Sequence, residues 1–231
     1  MPNPFADFRP GQEQARARGV LTRNLARQAV GSRLKEGYLA LVRAEARHLL
    51  WPVEHQRVLE AYTEACRLVS RLAVDQEDLE EFLAEMDHGR SLPYLVAGPA
   101  GLYLAALVNL CRETHLVLRL GGHSRVFHFL GYALPAGREL ILEGDAGDFC
   151  GAALAGGRLE VRGNVGDWAG AGMQAGTLLI RGGAGRGLGQ WMQGGVIEVG
   201  GEMASLGGER AGGTVRQGGQ DLTTPAAAVV D

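Results

Sequence analysis

The fold is decided by residues 139–208, where the chain can be written as three blocks of nineteen residues and a shorter fourth. The blocks read ELILEGDAGDFCGAALAGG (139–157), RLEVRGNVGDWAGAGMQAG (158–176), TLLIRGGAGRGLGQWMQGG (177–195) and VIEVGGEMASLGG (196–208). Each block opens with apolar residues at alternating positions, which is typical of a half-buried β-strand. Two aligned columns carry this pattern: Leu140, Leu159, Leu178 and Ile197, and Leu142, Val161, Ile180 and Val199. A fixed period with one strand per block indicates a solenoid.

The repeat predicts a right-handed parallel β-helix in which each block forms one coil. Strands of successive coils would pair in parallel about 4.8 Å apart and stack their apolar columns into a core. A further apolar column comprises Leu154, Met173, Met192 and Ala211. Glycines recur at fixed offsets, where corners need positive φ or leave no room for a Cβ atom. These structural glycines are Gly144, Gly147, Gly151, Gly163, Gly166, Gly170, Gly182, Gly185, Gly189, Gly201 and Gly208.

The glycines could alternatively cradle a phosphate, but their context does not favour it. A Walker-type loop ends in Gly-Lys-Ser/Thr, and the only lysine of the chain is Lys35. The run GGAGRGLG (182–189) has Leu188 where a dinucleotide fingerprint needs its third glycine. We therefore expect no bound cofactor at these glycines.

The chain changes character near residue 113, which divides it into 1–113 and 114–231. Only seven of the 36 glycines precede that point, and apolar residues there recur every three or four positions, as in helices. The pattern predicts an α+β fold, with a helical domain or cap before the β-helix. About five helices are expected: Gln12–Val30, Leu34–Leu49 ending at Trp51-Pro52, Val53–Val74, a short helix capped by Asp75 that ends at Gly89, and Pro99–Arg112.

Composition excludes several classes of function. With 23 basic and 26 acidic residues the net charge is −3, so the footprint of a nucleic-acid-binding protein is missing. The most apolar stretch, Tyr94–Leu110, is broken by Gly98 and Pro99, which favours a buried helix over a membrane span. Three cysteines without short spacing, Cys66, Cys111 and Cys150, predict no disulfide framework and a cytoplasmic location.

The search for catalytic residues finds no complete constellation. The stretch GHSRV (122–126) has Val126 where a nucleophile elbow needs glycine. His115, His123 and His128 lie close in sequence and could hold a metal from a loop, or could simply be solvent-facing or capping residues. Three aspartates, Asp145, Asp148 and Asp167, stand beside the repeat glycines without a calcium-binding nonapeptide period, so we expect them to accept backbone N–H bonds.

The blocks resemble the GXGXG-repeat domain. The pattern Gly-x-x-Gly-x-x-x-Gly-x-x-Met-x-x-Gly is met by Gly163, Gly166, Gly170, Met173 and Gly176, and again by Gly182, Gly185, Gly189, Met192 and Gly195. That family includes the C-terminal β-helix of the glutamate synthase large subunit, and the β-helical subunit of formylmethanofuran dehydrogenase and of its formyltransferase/hydrolase relative. The resemblance covers about residues 114–213 and implies a spacer or scaffold with no catalytic residues to transfer.

Two hypotheses follow for function. The first is a non-catalytic accessory subunit that assembles with other proteins, or with itself, in an oxidoreductase or formyl-transfer complex. The alternative is an enzyme or a small-molecule or metal-binding protein with a site between the helices and the β-helix. Since a β-helix needs caps, we expect the run Tyr94–Leu110 to cover its first coil. We expect the opposite end, with the polar stretch Gln217–Thr224, to bind a partner or a second copy.

Overall fold

The computed structural model describes residues 10–45, 54–87, 94–120 and 127–223. Four helices occupy the first part of this range: α1 (Pro10–Glu45), α2 (His55–Val69), α3 (Gln76–Asp87) and α4 (Tyr94–Leu110). The expected helix ends at Trp51-Pro52 and Gly89, and the expected site residue His123, lie outside the described residues.

Helix α1 corrects the prediction of two separate helices before residue 50. The chain runs helically without interruption from Pro10 to Glu45. Gly31, which lies between the two predicted segments, is within the helix, where a glycine costs only about 1 kcal/mol relative to alanine. Leu34, Tyr38 and Leu41 beyond it are buried, and this burial outweighs the local cost.

The second part of the chain is a β-solenoid of parallel strands, which together with the helices makes an α+β fold. Its strands are β1 (His115–Arg119), β2 (Glu139–Glu143), β3 (Ala155–Val161), β4 (Ala175–Ile180), β5 (Val196–Val199), β6 (Thr214–Gln217) and β7 (Gln220–Asp221). They form one sheet in chain order, parallel from β1 to β6, with β7 antiparallel to β6.

The register confirms both predicted apolar columns. Leu140 pairs with Leu159, Leu159 with Leu178, and Leu178 with Ile197, each step being nineteen residues. The first coil is longer, because Leu116 pairs with Leu140. The last is one residue shorter, because Ile197 pairs with Val215.

The short last coil overturns two column assignments. Met203 still bridges to Ala184 nineteen residues earlier, but Leu206 bridges to Leu188 eighteen residues earlier, so one residue is lost between them. The N–H of Gly207 donates to Leu188 O, as the N–H of Gly189 donates to Ala169 O. Gly207, rather than Gly208, therefore continues the Gly189 column. In the same way Arg210, rather than Ala211, is the residue of the last coil that corresponds to Met192.

Nine of the other ten structural glycines, all except Gly147, divide into two kinds. Gly144, Gly151, Gly170 and Gly189 have φ between 66° and 129°, which glycine adopts without strain. At Gly163, Gly166, Gly182, Gly185 and Gly201 the φ is not positive, but a Cβ atom would approach the neighbouring coil closer than 3.0 Å. Gly147 donates its N–H to Phe127 O.

Helix α4 covers the first coil, as expected from its apolar sequence. Leu104 and Leu107 belong to the same buried cluster as Leu116 and Leu118 of β1. A Cβ atom at Gly101 would overlap the carbonyl of His128, so the two backbones are in close contact. The guanidinium of Arg138 donates to the carbonyls of Val108 and Cys111 and thereby caps the end of α4.

Helix α3 closes the free edge of β1 by an unusual contact. The side-chain amide of Gln76 accepts a hydrogen bond from Val117 N at 3.1 Å and donates one to Val117 O at 2.5 Å. It thus replaces the strand that is missing on that side. Gln76 therefore covers the middle of a strand edge that would otherwise invite association.

Candidate interaction surface

The four turns that follow strands β1 to β4 have the same unusual backbone. Residues at alternate positions have positive φ, for example Phe149 (60°), Gly151 (67°) and Ala153 (53°). Corresponding residues of successive coils stack into two outer columns, which together we call the turn face. The first column is Phe129, Phe149, Trp168 and Gly187, and the second is Ala133, Ala153, Gly172 and Trp191.

Aromatic stacking holds the first column together. The rings of Phe129 and Phe149 lie 4.8 Å apart at 7°, and those of Phe149 and Trp168 lie 5.1 Å apart at 17°. The stack ends at Gly187, where a Cβ atom would come within 2.6 Å of Trp168 Cδ1. The stacked rings belong to residues in the left-handed conformation, which non-glycine residues rarely adopt.

The helices cover only the beginning of this face. Val58 and Ala61 of α2 and Leu102 and Ala105 of α4 form a buried cluster with Phe129, Tyr132, Phe149, Ala152 and Ala171. Further along, Trp168 is half-buried, and Trp191 is 52% exposed. The indole N–H of Trp191 donates to Glu209 at 3.0 Å, which fixes the ring on the surface.

Beside the turn face run two ladders of polar side chains, each of which accepts from the next coil. His128 Nδ1 accepts from the N–H of Asp148, Asp148 from that of Asp167, and Asp167 from that of Arg186. In the second ladder Asp145 accepts from Asn164 N and Asn164 accepts from Gly183 N. The expectation that the three aspartates accept backbone N–H bonds is confirmed, although the donors belong to the following coil.

Two ladder residues have pKa values below their ordinary values, for different reasons. The backbone N–H and then the guanidinium of Arg186 hold the pKa of Asp167 below its ordinary value. Burial lowers the pKa of His128 below 6.5, while the Asp148 carboxylate, 3.6 Å away, acts in the opposite direction. Since Nδ1 of His128 accepts a hydrogen bond, the imidazole is neutral with its proton on Nε2.

The strand face carries a charged network across the coils. Glu160 lies against Arg181 at 3.1 Å and Arg162 at 3.4 Å. Burial acts to raise the pKa of Glu160, but the hydrogen bonds and charges of the two arginines outweigh it and lower the pKa. Arg162 continues to Glu143, and Arg119 joins Glu143 to Glu80 of α3. This network ties the coils to one another and to the helices.

The far end of the solenoid is only partly covered. The hairpin β6–β7, with a turn at Gly218 and Gly219 of positive φ, shields the edge of β6. On the turn side no such element lies among the described residues. In inner coils Val165 N donates to Gly183 O and Ala184 N to Glu202 O, but beyond Met203 no further coil is described. We call this region, formed by Met203, Leu206 and Arg210, the open end; all three side chains are half-buried.

The expected histidine cluster does not assemble among the described residues. His115 lies on β1 and pairs with Glu139 at 3.0 Å, whereas His128 lies at the turn and bonds Asp148. Within residues 10–45, 54–87, 94–120 and 127–223, no group of three or more His, Cys, Asp or Glu side chains is placed to hold a metal. Burial raises the pKa of Cys111 to about 11 and of Cys150 to about 12, so neither thiol is a ready nucleophile.

Sequence reasoning missed the turn face. Its signal was present in the nineteen-residue spacing of Phe149 and Trp168, which places two aromatic rings in one column. What the spacing did not reveal is the positive φ of these residues, because non-glycine residues rarely adopt it.

Comparisons with protein-family models, with curated proteins and with solved structures found no match. None of the described helices combines the length and apolarity required to cross a bilayer.

Proposed function

We propose that the protein is a non-catalytic assembly subunit that binds another protein through the open end of its β-helix. The supporting observation is the asymmetry of the solenoid. The first coil is covered by Gln76, Arg138 and α4. The open end, in contrast, leaves Met203, Leu206 and Arg210 only half-buried. A half-buried apolar end with an adjacent cation suits a protein partner with apolar and acidic groups.

The resemblance to GXGXG-repeat domains gives this proposal its context. In glutamate synthase and in the formylmethanofuran complexes such domains are expected to serve as spacers between catalytic parts. We accordingly propose a cytoplasmic oxidoreductase or formyl-transfer complex as the setting. No nucleic acid, membrane or cofactor is part of this proposal.

Affinity purification of the tagged protein from its native cells, followed by mass spectrometry, tests the proposal. We expect one stoichiometric partner that is retained by the wild type and lost by Met203→Glu at the open end. Leu59→Glu, at a 42% exposed leucine of α2, is the matched control and should retain the partner. Equal retention by both variants, or recovery of the protein alone with a bound metabolite or metal, would overturn the assignment.

A further inference from the structure

The turn face continues beyond the helices that cover it. Its two columns begin under α2 and α4. These helices leave Trp168 of the first column half-buried and Trp191 of the second column exposed. Between the two tryptophans lie Gly187 and Gly172, and a Cβ atom at Gly172 would meet no atom within 4 Å. The surface between the two tryptophans therefore carries no side chain at Gly172 or Gly187, and it is continuous with the part of the turn face that α2 and α4 cover.

Helix α1 carries two exposed leucines on one face. Leu21 is 60% exposed and Leu25 is 57% exposed, one helical turn apart and hence on the same face. The helix packs against α2, α3 and α4 through its later part, where Leu34 and Leu41 are buried. Among the side chains that the structure describes, none buries these two leucines.

Charge favours contact between these two surfaces. Over residues 14–28, around the two leucines, the sequence has four arginines and no acidic residue. On the other surface Glu209 accepts the indole N–H of Trp191, and Asp167, next to Trp168, is paired with Arg186. Attraction of opposite fields steers such surfaces together.

We infer that the protein forms a dimer in which α1 of a second copy packs Leu21 and Leu25 onto Trp168 and Trp191. In this arrangement each copy gives its helix to the turn face of the other, so the two identical contacts are related by a two-fold axis. This inference does not rest on the proposed function, because its contact residues, Trp168 and Trp191, differ from those of the open end, although Trp191 and Arg210 line one shallow pocket.

Sedimentation velocity of the purified full-length protein over a wide concentration range tests the dimer. Leu25→Asp should weaken dimerisation by about tenfold or more, because it removes a buried leucine from the contact. Leu39→Asp makes the same chemical change at a 45% exposed leucine of the same helix and should leave the dimer intact. A monomer at all concentrations, or equal effects of the two variants, would overturn the inference.

A photo-cross-linking residue in place of Trp191 identifies the contact directly. In a mixture of unlabelled and nitrogen-15-labelled copies, we expect cross-links from position 191 to the peptide around Leu21–Leu25 that join two different copies. Cross-links within one copy, to another peptide or to none would contradict the arrangement, even if a dimer forms.

Discussion

A position in this fold needs glycine either because its φ is positive or because a Cβ atom has no room. Gly170 and Gly172, two residues apart, distinguish these two reasons. Both have positive φ, 66° and 63°. A Cβ atom at Gly170 would lie 2.5 Å from Ile197 Cδ1, whereas one at Gly172 would meet nothing. Ala133 and Ala153 already occupy the position of Gly172 in earlier coils, so alanine is acceptable there.

We therefore expect Gly170→Ala to lower the free energy of unfolding by about 2–4 kcal/mol, through strain and overpacking together. Gly172→Ala should cost only about 1 kcal/mol, for the left-handed conformation alone. Urea denaturation of the two variants measures the difference. Equal losses would mean that the space next to Ile197 is not limiting.

A second prediction at this scale concerns His128. Its pKa is lowered in the folded protein, so the unfolded chain binds the proton more readily. The stabilisation is present above pH 6.5 and is lost as the pH falls through the folded pKa. His128→Asn keeps an acceptor like that of Asn164 but cannot titrate.

Thermal melts at a series of pH values should accordingly show a loss of stability below pH 6.5 in the wild type, and a smaller loss in His128→Asn. Glu160, whose pKa is also lowered, contributes only at lower pH, because its ordinary value is 4.5. Parallel profiles for the two proteins would show that His128 does not titrate on unfolding.

Among the elements, the contact of α3 with the edge of β1 is the most specific. Gln76→Leu would leave the N–H and C=O of Val117 without the side-chain amide, and we expect a cost of about 1–3 kcal/mol. Gln56→Leu is the matched control. Gln76 and Gln56 each donate a hydrogen bond to a glutamate one turn on, Glu80 at 2.6 Å and Glu60 at 2.8 Å, but only Gln76 also bonds a strand. Amide hydrogen exchange at Val117 should accelerate only in the Gln76 variant; slow exchange in both would refute the edge role.

The elements also show what the sequence could and could not predict. Parallel pairing requires identical faces to align, so Leu140, Leu159 and Leu178 reveal the strands directly. The lost residue of the last coil was hidden, because Gly207 and Gly208 are adjacent and only hydrogen bonding distinguishes them. The turn face was equally hidden, because the left-handed φ of Phe149, Trp168 and Trp191 is one that non-glycine residues rarely adopt.

For the whole molecule, the helices and the solenoid share one core. Buried residues from Leu34 in α1 to Val215 in β6 form a continuous cluster. Residues 114–231 expressed alone would expose Leu116, Leu118 and Phe129, and we expect insoluble or polydisperse material by light scattering. A soluble, cooperatively folding fragment would show that the helices are an independent domain.

The contact of α4 with the first coil can be tested without truncation. At Gly101 a Cβ atom would overlap the carbonyl of His128, whereas at Gly31, also within a helix, it would meet nothing within 4 Å. Since alanine is the better helix former, Gly31→Ala should raise the free energy of unfolding by about 0.5–1 kcal/mol. Gly101→Ala gains the same propensity but forces α4 away from the coil, so we expect a net loss of about 1–3 kcal/mol. Limited proteolysis should cut the chain between helices and solenoid faster in the Gly101 variant, and unchanged cleavage with unchanged stability would show that α4 does not seal the β-helix.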